Sequence, residues 1–174
     1  MALVVFLRGI NVGGHRRLRP AELAAQLKPL DVVNIGAAGT FVVRGPISRA
    51  RLHAELSRRL PFDAGITICE GRELAALASQ DPFAAARTGP GVTRFVTVLA
   101  RRPRISPTLP YTLPATGRWL LKILGRETRF VFGLYRRDMK VISYLGQLDR
   151  LFGVPGTTRN WNTIGAIVRV LEEH

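Results

Sequence analysis

The sequence is poor in the residues from which disulfide, redox and metal chemistry is built. Cysteine occurs once in 174 residues, so no internal disulfide can form. That residue, Cys69, lies in the apolar run ITIC, where a small buried side chain is expected. The histidines His15, His53 and His174 are scattered and lack the spacing of a metal site. We therefore expect no metal and no cofactor, and a reducing, cytoplasmic environment.

Long apolar stretches are also missing. None approaches the roughly 20 residues that a helix needs to cross a bilayer. The opening MALVVFL has no basic segment before it and ends at Arg8, which does not fit a signal peptide. We expect a cytoplasmic protein without a membrane partner. The hydrophobic fraction of 47% is typical of a folded globular chain.

Acidic residues and lysine are scarce. The chain has 26 Lys and Arg against 12 Asp and Glu, a formal net charge of +14, and its only lysines are Lys28, Lys122 and Lys140. A GC-rich genome would explain arginine in place of lysine, but not the shortage of acids. The excess is concentrated in residues 1–60 and 115–174. Such a charge attracts polyanions, nucleic acid above all.

The first half of the chain alternates short apolar runs with helical patterns. Strands are predicted at 2–7, 31–37, 40–45 and 65–70, and helices from Pro20, from Ser48 and over 71–80. The order β-α-β-β-α-β is that of a ferredoxin-like unit, with an antiparallel sheet and both helices on one face. Because residues 2–7 are apolar at every position, both faces of the first strand are expected to be covered.

The second half is less regular. A strand is predicted at 92–100, followed by a proline-rich connector at 101–117 and a hairpin of 118–124 and 128–135 that turns at Gly125. Helices are predicted at 141–153 and 157–173, the latter capped by Thr157 or Thr158. The fold class is therefore α+β, with a ferredoxin-like half at 1–83 and a second, related α/β half at 90–174. We expect the two halves to pack into one compact unit.

Two separated motifs, LRGINVGG at 7–14 and GVPGTTRNWNT at 153–163, resemble the uncharacterised bacterial family called domain of unknown function 1697. PAEL at 20–23 and the GREL-then-DPF stretch at 71–83 follow in the same order. The resemblance implies an α+β fold of two related halves and implies no reaction.

The chain departs from this family's pattern in two places. Where members usually carry a polar QSGN-like turn, this chain has AAGT at 37–40. Where members usually carry a Gly-x-Ser-Lys-Leu-like segment, it has DMKVI at 138–142. If those polar residues form a family site, the resemblance implies that the site is altered here.

The first motif opens a loop that combines glycine with positive charge. A loop of this kind between a strand and a helix can present backbone N–H groups to an anion. Its spacing matches neither a Walker loop nor a dinucleotide fingerprint. The alternative is a tight turn in which Asn11 bonds the local backbone. The candidate ligand-binding residues here are Arg8, Asn11, Gly13, Gly14, Arg16 and Arg17.

The second motif contributes the candidate ligand-binding residues Arg159, Asn160, Trp161 and Asn162. Residues at a helix N-terminus can bind an anion, and the resemblance suggests a pocket shared with the first loop. Capping, packing and backbone hydrogen bonds would also explain these side chains.

The predicted strand order also allows RNA recognition, in which Phe6 and Phe41 on the central strands would stack on bases. An apolar strand of this kind instead favours a core position for both side chains.

Three hypotheses follow for function. The first is a non-catalytic binder of a polyanion such as nucleic acid, using the first loop and the basic helix around Arg49, Arg51, Arg58 and Arg59. The second is an enzyme or binding protein for a small phosphorylated ligand, held between LRGINVGG and TTRNWNT. The third is an interaction protein that forms a homodimer. The sequence leaves open whether any reaction is catalysed.

Overall fold

The computed structural model describes residues 1–12, 14–15 and 17–173. The chain divides into two compact units, one of Met1–Ala78 with Gly165–His174 and the other of Ser79–Ile164. Within the described residues, no helix is both long and apolar enough to cross a membrane. The packing of 1–83 and 90–174 into one body stays a prediction.

The first unit contains most of the predicted elements. They are β1 (Leu3–Arg8), α1 (Pro20–Gln26), a short 3₁₀ helix (Lys28–Leu30), β2 (Val32–Ile35), β3 (Thr40–Val43), α2 (Arg49–Arg59), β4 (Gly65–Glu70) and α3 (Gly71–Ser79). Pro20 is the first residue of α1, a position at which its missing N–H costs nothing. Ser48 caps α2 by accepting a hydrogen bond from the Arg51 backbone N–H at 3.2 Å.

The first sheet is antiparallel with the strand order β2-β3-β1-β4. This is the ferredoxin-like order that the sequence predicts. Leu3, Val5 and Leu7 on one face of β1 join the core cluster that contains Leu23 of α1 and Leu52 of α2. Their neighbours on the other face, Val4 and Phe6, have no exposed surface. Both faces of the central strand are therefore buried, as its uniform apolarity predicts.

The second unit is built around a five-stranded antiparallel sheet of order β6-β7-β8-β5-β9. Its elements are β5 (Val92–Leu99), β6 (Tyr111–Leu113), β7 (Leu121–Glu127), β8 (Phe130–Arg136), α4 (Lys140–Gly146), α5 (Leu148–Phe152) and β9 (Gly156–Asn160). Helix α6 (Trp161–Glu172) begins in this unit, and its residues from Gly165 onward belong to the first. Leu148 and Phe152 pack with Phe95 and Ile123 to form the core on one face of the sheet.

The second sheet repeats the strand order of the first. Without the short edge strand β6, the order β7-β8-β5-β9 corresponds strand for strand to β2-β3-β1-β4. The two units differ in one connection. In the first unit, helix α1 lies between β1 and β2, whereas in the second a proline-rich connector carrying β6 lies between β5 and β7. The predicted α+β class with two related halves is confirmed.

The predicted hairpin is present, but the predicted position of its turn at Gly125 is wrong. The two strands are joined at Thr128, which has φ of +52°, while Gly125 lies inside β7 at a break in the register with β8. A Cβ atom at Gly125 would lie 2.7 Å from the Phe132 ring. This glycine is therefore required by the close approach of an aromatic side chain, rather than by a turn.

The predicted start of the last helix is also wrong. Residues Gly156–Asn160 form strand β9, in which Thr158 lies opposite Thr97 of β5, with their hydroxyl oxygens 2.6 Å apart. The side chain of Asn160 accepts hydrogen bonds from the backbone N–H and the hydroxyl of Thr163, at 2.9 and 3.0 Å. Asn160 thus caps α6, and the β-branched threonines belong to the sheet.

Candidate anion-binding site

The loop after β1 is closed by Asn11. Its side-chain oxygen accepts the Leu18 backbone N–H at 2.8 Å, and its side-chain amide donates to the Leu18 carbonyl at 3.0 Å. Asn11 has φ of +54°, a conformation that asparagine tolerates better than most residues. The prediction that Asn11 bonds the local backbone is therefore confirmed. Its two hydrogen bonds join the ends of the loop, which are seven residues apart in the sequence.

Most of the other described residues of this loop are exposed, whereas Ile10 and Leu18 are partly buried against the core. Gly14 has φ of +78°, and its carbonyl accepts a hydrogen bond from Arg17 Nε at 3.2 Å. Arg8 is exposed at the end of β1, opposite Gly65 of β4. The candidates Gly13 and Arg16 lie outside the described residues.

The turn between β2 and β3 lies against the start of this loop. The Leu7 backbone N–H donates to the Gly39 carbonyl at 2.8 Å. A Cβ atom at Gly39 would come within 2.9 Å of the Leu7 and Ile10 side chains. The AAGT turn, at which this chain departs from the family pattern, is therefore adjacent to the LRGINVGG motif.

An open cavity of about 680 Å³ lies beside the loop, entirely within the first unit. Its polar lining combines loop residues with residues of both helices, namely Asn11, Arg17, Arg19, Glu22, Gln26 and Arg59. Leu23 and Pro61 supply apolar surface. The fold thus brings arginines from the loop after β1 and from the end of α2, which are distant in the sequence, to one concave surface.

A second cavity of about 590 Å³ shares Gln26 and Arg59 with the first. It extends along α2, whose residues Arg51, Glu55 and Arg59 recur at four-residue spacing and so share one face of the helix. We call the two cavities together the α1–α2 groove. Among the described residues, its cations are Arg17, Arg19, Arg51 and Arg59, and its acids are Glu22 and Glu55.

Arg59 lies where the two cavities meet. One of its terminal nitrogens is 3.3 Å from the Glu55 carboxylate. Its Nε is buried without a hydrogen-bond partner among the described residues. Glu55 also accepts from Arg58 at 2.9 Å, and this hydrogen bond lowers the pKa of Glu55 from 4.5. At the other end of the groove, Arg19 pairs with Glu22 at 3.4 Å, with both side chains largely exposed.

The second motif lies in the second unit. Arg159 is on β9 opposite Val96, and burial lowers its pKa to about 10, so it remains a cation at neutral pH. Trp161 packs edge-on against Phe83, with the ring centroids 5.0 Å apart. Asn160 caps α6, and Asn162 is exposed. The pocket shared by the two motifs stays a prediction.

Phe6 and Phe41 cannot stack on bases in this structure. Phe6 has no exposed surface, and Phe41 is 2% exposed. The described residues also contain no cluster of three His, Cys, Asp or Glu side chains that could hold a metal ion.

Sequence reasoning identified the arginines of the groove but missed Glu22, Gln26 and Pro61. Their signal is weak, since a glutamate and a glutamine on a short helix are ordinary surface residues. Only the packing of α1 beside α2 places them at the groove. Sequence reasoning also missed Trp119, which lines a cavity of the second unit, because that cavity too is formed only by packing in the folded structure.

Together, these features define an α+β protein with two antiparallel sheets of related order and an arginine-lined groove on the first unit. The model of the family described as protein of unknown function DUF1697 matches residues 1–110, and the chain belongs to that family. The chain matches none of the curated proteins with which it was compared.

A solved structure with a similar fold is that of a conserved bacterial protein, SP0830 from Streptococcus pneumoniae. It is 18% identical to this chain, the match covers 98% of both chains, and the TM-score is 0.62. At this identity the similarity shows the fold alone.

Proposed function

We propose that this protein binds a polyanion of the nucleic-acid class through the α1–α2 groove. The observation that carries the proposal is the convergence of Arg17, Arg19, Arg51 and Arg59 on two adjoining cavities. Arginine suits this role because its planar guanidinium can hold a phosphate through two hydrogen bonds.

The groove favours contact with the phosphate backbone over reading of bases. It is open along its length, and its described lining offers arginine, glutamine and asparagine donors but no aromatic side chain. Phe6 and Phe41, the other side chains considered for stacking on bases, are buried and cannot do so. Backbone contacts carry no direct sequence information, so binding is expected to depend weakly on sequence and strongly on salt.

Two carboxylates limit the strength of the interaction. Glu22 and Glu55 pair with Arg19 and Arg59, so a phosphate must compete for part of each guanidinium. The buried Nε of Arg59 remains without a partner among the described residues. Because that atom has almost no accessible surface, a phosphate would contact Arg59 through the 29% of its side chain that remains exposed.

The test is fluorescence anisotropy of a labelled single-stranded RNA and a matched DNA duplex over a salt series. For the wild type we expect Kd to rise steeply with salt. Replacing both Arg17 and Arg59 by Gln should weaken binding and make the dependence of log K on log salt shallower. The slope should change by about 0.7–0.9 for each phosphate that an arginine no longer neutralises.

The matched control replaces the exposed arginines Arg101 and Arg102, which lie outside the groove, by Gln. If this variant loses as much affinity as the groove variant, the attraction belongs to net charge and the groove proposal is wrong. Absence of binding at low salt would also contradict it. Binding of inorganic phosphate or a phosphorylated metabolite without RNA or DNA binding would favour the small-ligand hypothesis at the 680 Å³ cavity.

A further inference from the structure

A second concave surface, which we call the Trp119 groove, lies within the second unit. It encloses about 560 Å³. Its charged lining residues are Arg87, Lys122 and Arg136, and no carboxylate of the described residues lines it. Within the described part of the chain, none of these three cations forms an ion pair. In this respect the Trp119 groove differs from the α1–α2 groove, where Glu22 and Glu55 line the surface.

Arg136 is held in a fixed orientation. Its guanidinium carbon lies 4.1 Å from the centroid of the Trp119 ring, and its Nε donates to the Trp119 carbonyl at 3.0 Å. Its backbone N–H also donates to the Leu120 carbonyl at 2.8 Å. Its two terminal nitrogens donate no hydrogen bond to another described residue. The guanidinium is therefore positioned by its ring partner and keeps two NH₂ groups for a ligand.

Lys122 adds a second charge at the same ring. Its Nζ lies 4.7 Å from the Trp119 centroid. Lys122 is paired with Leu134 between β7 and β8, and Arg136 is two residues beyond Leu134, so all three side chains belong to one face of the sheet. Two cations from neighbouring strands thus converge on one indole ring.

The rest of the Trp119 groove is apolar. Val92, Leu124 and Leu134 come from the sheet, and Ala85 and Ala86 come from the segment before β5. The cavity is far larger than a phosphate ion and falls within the range of sites for small organic ligands. A ligand that fills it must therefore combine an anionic group with an apolar body. A nucleobase is a body of this kind, since its ring can lie against Val92, Leu124 and Leu134 while an attached phosphate reaches the two cations.

We propose that the Trp119 groove binds a nucleotide, with the phosphate at Arg136 and Lys122 and the base against the apolar strand residues. The nucleotide can be free or part of a single strand, and both present the same chemistry. This inference goes beyond the function proposed above, since it concerns other residues in the other unit and stands without binding at the α1–α2 groove.

The test is isothermal titration of the full-length protein with AMP, UMP, adenosine, inorganic phosphate and a six-residue single-stranded RNA. We expect AMP or the RNA to bind more tightly than either phosphate or adenosine, because both parts of the nucleotide are recognised. Arg136→Gln should weaken that binding about tenfold or more, as expected for the loss of a hydrogen bond between charged groups.

Arg137→Gln is the matched control. It removes the same charge one position along the chain, where the side chain is exposed and outside the Trp119 groove. Lys122→Gln provides a second test, in case Arg136→Gln fails to fold as judged by circular dichroism. Arg17→Gln with Arg59→Gln separates the two proposals, since it should leave AMP binding unchanged whatever it does to RNA.

Each outcome decides the inference. Nucleotide binding that weakens in Arg136→Gln or Lys122→Gln, but not in Arg137→Gln, supports the inference. Comparison of the affinities for AMP and for the RNA shows whether the preferred ligand is a free nucleotide or part of a single strand. Binding of phosphate as tight as that of AMP would overturn it, because the planar part would then contribute nothing. Absence of binding by both AMP and the RNA, or binding that is indifferent to both groove variants, would overturn it as well.

Discussion

At the scale of single residues, Asn11 shows how a polar side chain in a conspicuous motif can have a structural role. It closes the loop through two hydrogen bonds to Leu18 and has positive φ. Arg17, three residues beyond Gly14, bonds that glycine's carbonyl and lines the α1–α2 groove. Loss of Asn11 should therefore first affect the geometry of the loop that presents the arginine.

Asn11→Ala should lower the free energy of unfolding by about 1–2 kcal/mol, because it removes both hydrogen bonds and places a Cβ-bearing residue without local polar compensation at positive φ. Asn11→Gly should cost less, since glycine adopts this conformation freely. Urea unfolding of both variants measures the difference. Equal stability of Asn11→Ala and the wild type would show that the two hydrogen bonds do not stabilise the loop.

Glu55 gives a pH-dependent prediction. Its pKa is lowered from 4.5, mainly by the hydrogen bond from Arg58, so the native state favours the ionised carboxylate. The stability it contributes is fully present above pH 4.5 and is lost as pH falls through the lowered native value. Wild type should exceed Glu55→Gln in unfolding free energy at about pH 7, and the difference should shrink towards about pH 3.

Denaturant unfolding at the two pH values checks this, with Arg58→Gln as the background for a double-mutant cycle. In that background the effect of Glu55→Gln should be smaller at neutral pH. A difference that grows as pH falls would contradict the assignment.

At the scale of elements, the centre of the second sheet depends on Gly133. This residue of β8 lies between Phe95 of β5 and Ile123 of β7. A Cβ atom there would overlap the Lys122 carbonyl oxygen and lie 2.9 Å from the Phe95 ring. The first of these contacts is with backbone, which cannot move aside without separating the strands.

Gly133→Ala should therefore destabilise the protein by about 2–3 kcal/mol, as overpacking does in a well-filled core. The matched change is Gly165→Ala in α6, where an added Cβ meets nothing within 4 Å. There we expect a gain of about 0.5–1 kcal/mol from helix propensity. Thermal unfolding of the two variants should shift in opposite directions. A shift in the same direction would refute the packing argument at Gly133.

The elements that could be predicted from sequence are those with strong local signals. The strands β1 to β4 follow from apolar runs bounded by turn residues, and α2 follows from its serine cap and leucine spacing. The local pattern at Thr157 and Thr158 predicts a helix cap wrongly, because threonine serves both as a helix cap and as a strand residue. What decides between the two is the pairing of Thr158 with Thr97, which is 61 residues away. No local pattern contains that information.

The candidate sites also depend on contacts between residues that are distant in the sequence. Arginine composition pointed to Arg17 and to helix α2, but the groove exists only where α1 packs beside α2. The contact of Arg136 with Trp119 joins residues 17 positions apart through the β7–β8 pairing. Charge is visible in a sequence, whereas convergence of charges depends on strand register.

At the scale of the whole molecule, the charge of +14 should itself affect stability. Self-repulsion of excess charge destabilises a compact state, and added salt screens it. We expect Tm to rise between low and moderate NaCl concentrations, despite the weakening of exposed pairs such as Arg19–Glu22. Differential scanning fluorimetry over a salt series tests this, and a falling Tm would show that ion pairs outweigh the repulsion. The homodimer considered from the sequence stays a prediction.

The replacement of a helix by the connector carrying β6 has a consequence for the origin of the two sites. Two sheets of one strand order suggest an ancestral duplication, after which each copy was free to change. A groove between two helices could persist only in the copy that kept both. In the other copy, Leu109, Tyr111 and Leu113 of the connector cover the helix face of the sheet, and the proposed Trp119 site lies on the opposite face. The two proposed surfaces would therefore use opposite sides of equivalent sheets, the first on the helix face and the second on the face turned away from the helices.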